Sequence, residues 1–267
     1  MAESGQKLRV RTGESEKHAV RQDKPIALWG VPRSISTAFE RVFVERDDFE
    51  IFHEPFSASY YYSEERLSDR YSDVEPKTEY NYQNVLANIL EPREKRVFVK
   101  DMAYHAKGLI GPEFVSRFAN TFIIRDPKYV ISSLYRMWPD FTFEETGFEQ
   151  LYRLFRYATE TNPEEVAVID AMTFSENPVG IVAAYCEHLN IPFQPGSLLW
   201  EPADVQEWER WHRWHDKAQQ STGIERAERK DPSLPEELQE AYDHCLPYYY
   251  QLAAKAIPGT VRAIPTA

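Results

Sequence analysis

The segment Gly30-Val31-Pro32-Arg33-Ser34-Ile35-Ser36-Thr37 sets a glycine, an arginine and three hydroxyl side chains in close succession behind a short apolar run. A helix starting at Ser36 would aim its first backbone N–H groups and its dipole at an anion. Arg33 adds a fixed positive charge, and Ser34, Ser36 and Thr37 add hydroxyl donors. A nucleoside-triphosphatase loop fits poorly, because Ile35 and Ser36 stand where that loop needs its second glycine and its lysine. The segment suits a phosphate group rather than ATP hydrolysis. Further along the chain, His53-Glu54-Pro55-Phe56, Lys100-Asp101-Met102-Ala103-Tyr104-His105 and Arg125-Asp126-Pro127 put other ionisable side chains just behind short apolar runs.

Those runs are the elements that must position the chemistry. Ile26 to Trp29, Phe49 to Phe52, Val97 to Val99, Thr121 to Ile124 and Val166 to Ile169 read as strands. Helical spacing lies between them, over Ser36 to Glu45, Gln83 to Leu90, Pro112 to Phe118, Lys128 to Met137 and Glu144 to Thr159. Strands alternating with helices predict a single three-layer α/β domain of P-loop type, with a central parallel sheet of about five strands. The second strand is expected beside the first, so that Glu54 faces the mouth of the phosphate loop. Past Asp170 the chain reads as helical, over Val179 to Leu189, Val205 to Lys217 and Pro235 to Ile257. Residues 1–24 read as a flexible tail and 25–267 as the domain. Ser63 to Tyr80 reads as a surface excursion or lid.

Pro32-Arg33-Ser34-x-Ser36-Thr37 resembles the 5′-phosphosulfate loop of sulfotransferases that use 3′-phosphoadenosine-5′-phosphosulfate (PAPS), with Ile35 in place of the usual glycine. A β-branched residue resists the positive φ that a glycine would allow. Arg125, Pro127 and Ser133 resemble the family's 3′-phosphate motif, in which an arginine fork and a hydroxyl from the following helix grip a phosphate. The segment from Val168 to Phe193 is similar to the family's late region, with Asn190 at a position where glycine is usual. The resemblance covers about Pro25 to Gly223 and implies PAPS as donor and adenosine 3′,5′-bisphosphate (PAP) as product. It further implies Pro32, Arg33, Ser34, Ile35, Ser36, Thr37, Arg125 and Ser133 as donor contacts. By position alone, Ser221, Thr222 and Gly223 stand in for the family's glycine-rich C-terminal loop. Glu54 matches a strand-end carboxylate that serves as general base in some branches, with His53 beside it. Lys100 matches a lysine that, with Arg33, steadies charge on the bridging oxygen and departing phosphate. Met102 occupies the place of the histidine base found in the cytosolic branch, which leaves His105 as second candidate.

Composition bounds the remaining choices. The formal net charge of −12 opposes general binding to nucleic acid or to an anionic membrane. Cys186 and Cys245 form no metal-type spacing and no disulfide framework, which fits a reducing, cytoplasmic setting. No metal-ligand spacing, long apolar run or secretory leader is visible, so neither a metal nor a membrane is expected. Trp208, Trp211 and Trp214 read first as core packing. Tyr60, Tyr61, Tyr62, Trp138, Phe141, Tyr152 and Phe155 suggest either a core or a pocket for a small aromatic or apolar alcohol. The competing functions are another transferase of the same fold and a non-catalytic PAP- or nucleotide-binding protein.

Overall fold

The computed structural model describes residues 24–227 and 232–258. The tail expected over residues 1–24 therefore lies outside the described residues except for Lys24, whose Nζ is 3.1 Å from Glu165 Oε2. The five strands are β1 (Ile26–Gly30), β2 (Phe49–His53), β3 (Arg96–Met102), β4 (Ala119–Ile124) and β5 (Ala167–Asp170). They form one wholly parallel sheet in the order β2-β3-β1-β4-β5. Helices α1 (Ser36–Val44), α2 (Pro55–Tyr62), α3 (Tyr82–Leu90), α4 (Pro112–Ser116), α5 (Pro127–Met137) and α6 (Phe148–Thr161) follow within the alternating part. After β5 come α7 (Ala171–Glu176), α8 (Pro178–His188), α9 (His212–Gln220) and α10 (Gln239–Ala253). The α/β class, the parallel sheet of five strands and the helical C-terminal part are as the sequence indicates. Among the described residues no helix is long and apolar enough to cross a membrane.

The expected neighbour of β1 is corrected. β3, not β2, pairs with it on one side and β4 on the other. Burial explains the order. Every residue of β1 is buried, as suits a strand covered on both faces, whereas only Phe49 of β2 is. The less buried strand takes the edge. The sheet separates two apolar layers, one around Trp29, Phe122 and Leu151, the other around Phe39, Phe98 and Tyr185. From β1 the order runs to β3 and β2 on one side and to β4 and β5 on the other. A crevice at such a reversal, outside the carboxyl ends of the strands, is the usual ligand place in this architecture.

Several expected helices are shorter than predicted, and the one expected from Pro235 to Ile257 is a 3₁₀ turn over Glu236–Leu238 followed by α10. Gly147, at φ 80°, separates a 3₁₀ turn over Glu144–Thr146 from α6, because left-handed backbone cannot continue a right-handed helix. The stretch expected as one helix from Val205 to Lys217 is a 3₁₀ segment over Gln206–Trp211 followed by α9.

Candidate active site

Gly30 is where β1 turns into the loop. A Cβ there would lie 3.1 Å from Ile123 Cγ2 and 3.2 Å from Ser34 Oγ, so only glycine lets the loop fold this close to β4. Ser34 Oγ donates to the Val31 carbonyl (2.7 Å), closing the turn, and the residue is fully buried. Its hydroxyl thus builds the loop rather than facing a ligand. Arg33 (φ 61°) and Ile35 (φ 66°) both adopt the left-handed region, so Ile35 takes the glycine-like conformation despite its β-branch. Ile35 is the N-cap of α1 and supplies no side-chain cap, which leaves the first N–H groups of the helix for a ligand.

A cleft of ≈ 630 Å³, in the size range of small-molecule sites, opens beside this loop. Its walls include Arg33, Ile35, Thr37, Arg125, Ser132, Ser133, Arg136, Ser221, Gly223 and Arg226. Arg33 Nε donates to Ser133 Oγ (2.9 Å), and Arg125 Nη1 donates to the Arg33 carbonyl (2.9 Å). The loop after β1 and the helix after β4 are thereby joined. Burial and then Arg136 lower the pKa of Arg33; burial and then Arg33 lower that of Arg125. Arg125 Nε and Ser132 Oγ are buried with no hydrogen-bond partner. Crowded arginines and unpaired donors are what an anion relieves. Ser221 Oγ accepts from Trp200 Nε1 (3.1 Å) and donates to the Ala218 carbonyl (2.8 Å), so it lines the cleft with its bonds already made. Thr222 is not part of the lining.

A smaller chamber of ≈ 80 Å³ shares Arg33, Thr37, Trp214 and His215 with the cleft. Pro32, Ser36, Glu54, Tyr61, Met102, Tyr104, His105, Trp138 and Trp211 complete most of its wall. Of the aromatic residues suggested by the sequence, Tyr61 and Trp138 line it, whereas Phe141, Tyr152 and Phe155 belong to the main core. Trp211 and Trp214 line it too, whereas Trp208 is fully buried and lines neither cavity. The excursion at 63–80 lies against this chamber. Arg70 sits 4.4 Å from the Trp138 ring centre and bonds Glu145, while Tyr71 packs on Tyr61 and Trp211.

Glu54 is the N-cap residue of α2 and is also left-handed, at φ 45°. Non-glycine residues held there store strain and often mark functional positions. Lys100 donates to Glu54 Oε1 in a short, buried ion pair. Burial pushes this carboxyl up, but Lys100, then His53, His105 and His215, hold it well below the usual carboxylate range. Lys100 and His53 line neither cavity. His105 does, and its Nδ1 is 2.6 Å from Asp101 Oδ1. Asp101 is fixed in turn by the backbone N–H groups of Phe56 (2.7 Å) and Met102 (2.8 Å). Burial raises the Asp101 carboxyl, against the pull of His105.

Behind the loop, His53 Nδ1 is 2.7 Å from Glu40 Oε2, His53 Nε2 is 3.0 Å from His215 Nε2, and His215 Nδ1 is 3.2 Å from Thr37 Oγ1. Ligand-type atoms of His53, Glu54 and His215 lie within 4.8 Å of one another. The Lys100 ammonium on Glu54 already supplies the positive charge there, so the group reads as a hydrogen-bond network. Sequence reasoning missed Asp101, His215, Glu40, Ser132 and Arg136. One signal was available for Glu40: it shares the apolar stripe of α1 with Phe39 and Phe43, an unusual place for a carboxylate.

The sulfotransferase domain family matches residues 24–256. Branched-chain-amino-acid aminotransferase-like protein 2 of Arabidopsis thaliana is 26% identical over 229 residues, 84% of this chain and 40% of that protein's length. This chain thus spans less than half of that curated relative. The sulfotransferase domain from the curacin biosynthetic pathway is 17% identical, with a TM-score of 0.56 over 88% of this chain and 99% of that one. The sulfotransferase domain from the Synechococcus PCC 7002 olefin synthase is 14% identical, with a TM-score of 0.52 over 92% and 99%. At these identities the structural likeness concerns the fold.

Proposed function

Because this chain belongs to the sulfotransferase domain family, we propose that it moves a sulfuryl group from PAPS to a hydroxyl of a small aromatic or apolar acceptor. The observation that carries the reading is the arginine pair. Arg33 and Arg125 stand together at the ends of β1 and β4, beside the unpaired Arg125 Nε and Ser132 Oγ, in a cleft that shares a wall with an aromatic chamber. The larger cleft takes the nucleotide, with the 5′-phosphosulfate at the start of α1 and the 3′-phosphate at Arg125 and Ser133. The chamber takes the acceptor. Its hydroxyl oxygen attacks sulfur as the bond from sulfur to the bridging phosphate oxygen breaks. The hydroxyl proton passes to a base, and PAP leaves with the electron pair. Arg33 and the first N–H groups of α1 steady the charge that develops on the phosphate.

His105 is the base that the geometry favours. With Asp101 accepting from Nδ1, the lone pair of the ring is on Nε2, free for a proton, and the residue lines the chamber. Glu54 is the second reading, favoured by its strained backbone on the chamber wall. Against it, the pairing with Lys100 makes its carboxylate a weak proton acceptor. Thermal shift tests the donor first. PAP stabilises the fold in proportion to RT ln(1 + [L]/Kd), and ATP with magnesium does much less. The reverse result refutes the donor assignment. Turnover of labelled PAPS with a panel of aromatic and aliphatic alcohols then tests catalysis, and PAP binding without turnover on any of them favours the non-catalytic alternative.

A further inference from the structure

The row Glu40–His53–His215–Thr37 is used by no step above, yet its hydrogens can be assigned one by one. Glu40 Oε2 accepts from Trp208 Nε1 at 2.9 Å and lies 2.7 Å from His53 Nδ1. An indole nitrogen only donates, so Oε2 is an acceptor. Oε1 is buried and bonds to nothing, so it has no neighbour to receive a hydrogen. One hydrogen lies between Oε2 and His53 Nδ1, and imidazole is by nature a stronger base than a carboxylate, so Nδ1 of His53 carries it and Glu40 is a carboxylate. A neutral His53 then has its lone pair on Nε2. Only one hydrogen fits between that atom and His215 Nε2, 3.0 Å away, so His215 donates from Nε2. Its Nδ1 is left as an acceptor, and the Thr37 hydroxyl, 3.2 Å away, must donate to it. With the row in this state, Thr37 points its hydrogen inward, away from any anion in the loop.

For Thr37 to donate to an anion, every hydrogen in the row must shift. His215 must carry its hydrogen on Nδ1 and accept at Nε2, and His53 must carry hydrogens on both nitrogens. The two states differ by one proton. Taking the loop as the phosphosulfate site, as proposed above, we infer that this row links donor binding to proton uptake. The anion takes Thr37 as a hydrogen-bond donor, and one proton settles on His53.

The surrounding charges fit such a link. His53 is faced by Glu40 on α1, Glu54 after β2, Lys100 beside it on β3 and His215 on α9, while Arg33 in the loop acts on His215. Lys100 and Arg33 oppose positive charge at His215, the next ring in the row. An arriving anion neutralises the opposition from Arg33 and tips the balance. Burial, then His53 and Lys100, hold His215 down at about 2. His215 thus exchanges tautomers without keeping the charge.

Calorimetric titration of PAP at about pH 7, repeated in buffers of different protonation enthalpy, counts the protons taken up. The ionisation of PAP itself is common to all variants, so the readout is the difference between wild type and Thr37→Val. That difference is expected to be about one proton, with the wild-type affinity rising up to about tenfold more per pH unit of acidification than that of the variant. Thr37→Ser should restore it. Equal proton counts in wild type and Thr37→Val overturn the inference. A second arm needs no nucleotide. Long-range ¹H–¹⁵N spectra of the free protein should show His215 protonated on Nε2 and His53 on Nδ1, and a hydrogen on His215 Nδ1 overturns it equally. If PAP does not bind at all, the donor reading fails by itself, and the spectra still decide the state of the row.

Discussion

The two cavities share four residues and differ in how they are made. The larger cleft is built on three segments, after β1, after β4 and from Trp214 to Pro232, and the sheet sets the first two side by side. Its chemistry is charge and N–H groups, and those come with the strand ends and helix starts themselves. The chamber is assembled from the loop into α1 together with pieces of β3, α2, α5 and α9 and their adjoining loops, and its chemistry is aromatic surface around a few ionisable atoms. Topology prepares the first kind of site in advance. The second depends more on side chains from scattered segments, the kind of place where a shared fold varies what it binds.

The largest expected effect separates chemistry from donor binding. His105→Gln should slow single-turnover sulfuryl transfer by roughly 10²- to 10⁴-fold, the range for general acid–base catalysis, with PAP affinity nearly unchanged. Glu54→Gln serves as the rival. If it abolishes turnover while His105→Gln does not, the carboxylate is the base, and the Lys100 pairing must loosen when the acceptor binds. Next, Arg125→Ala should cost PAP binding roughly 1.5–3 kcal/mol and leave a nucleotide without a 3′-phosphate almost unaffected. Equal losses in calorimetric titrations of the two nucleotides would move the 3′-phosphate elsewhere.

Trp211 lines the chamber and not the cleft. Trp211→Ala should therefore raise the acceptor KM by roughly tenfold, about 1.4 kcal/mol of lost aromatic contact, without changing the Kd of PAP. A parallel loss of PAP affinity would show that the two cavities are not separable. The effect furthest from the contrast between the cavities concerns stability. His215 is held at about 2 in the folded protein, below its unfolded value of about 6.5. The unfolded chain binds the extra proton, so stability present above about pH 6.5 is lost as pH falls toward 2, by at most about 1.4 kcal/mol per pH unit. Denaturant titrations at about pH 7 and pH 5 should show a flatter dependence in His215→Gln than in wild type.

Legibility in the sequence followed the same division. The strands, the loop from Gly30 to Thr37 and the segment from Arg125 to Ser133 were readable, because each is a contiguous pattern with a local physical cause. The left-handed Asn190 (φ 52°) likewise stands where the family pattern has glycine. The strand order was not readable, since it depends on how completely each strand is buried once all have packed. Lys100 was expected at the bridging oxygen, yet it lies behind Glu54, because a strand residue can face the layer beneath as easily as the cleft above. His215 was hidden among tryptophans that read as core. The His105–Asp101 pair depends on a 3₁₀ turn over Ala103–Ala106 that brings the ring back to the end of β3, and no periodicity announces such a turn.

The central place of β1 has a consequence during biosynthesis. Its apolar residues emerge well before its two partner strands, which begin only at Arg96 and Ala119. At about 5–20 residues per second, translation leaves this strand without a neighbour for roughly 4 to 14 s, and without its second for up to about 20 s. Hairpin closure takes microseconds, so no local partner would have to wait so long. The stretch Ile26-Ala27-Leu28-Trp29 is thus the segment of the nascent chain most in need of shelter, and the loop that follows it cannot take its strained shape until β4 has been made.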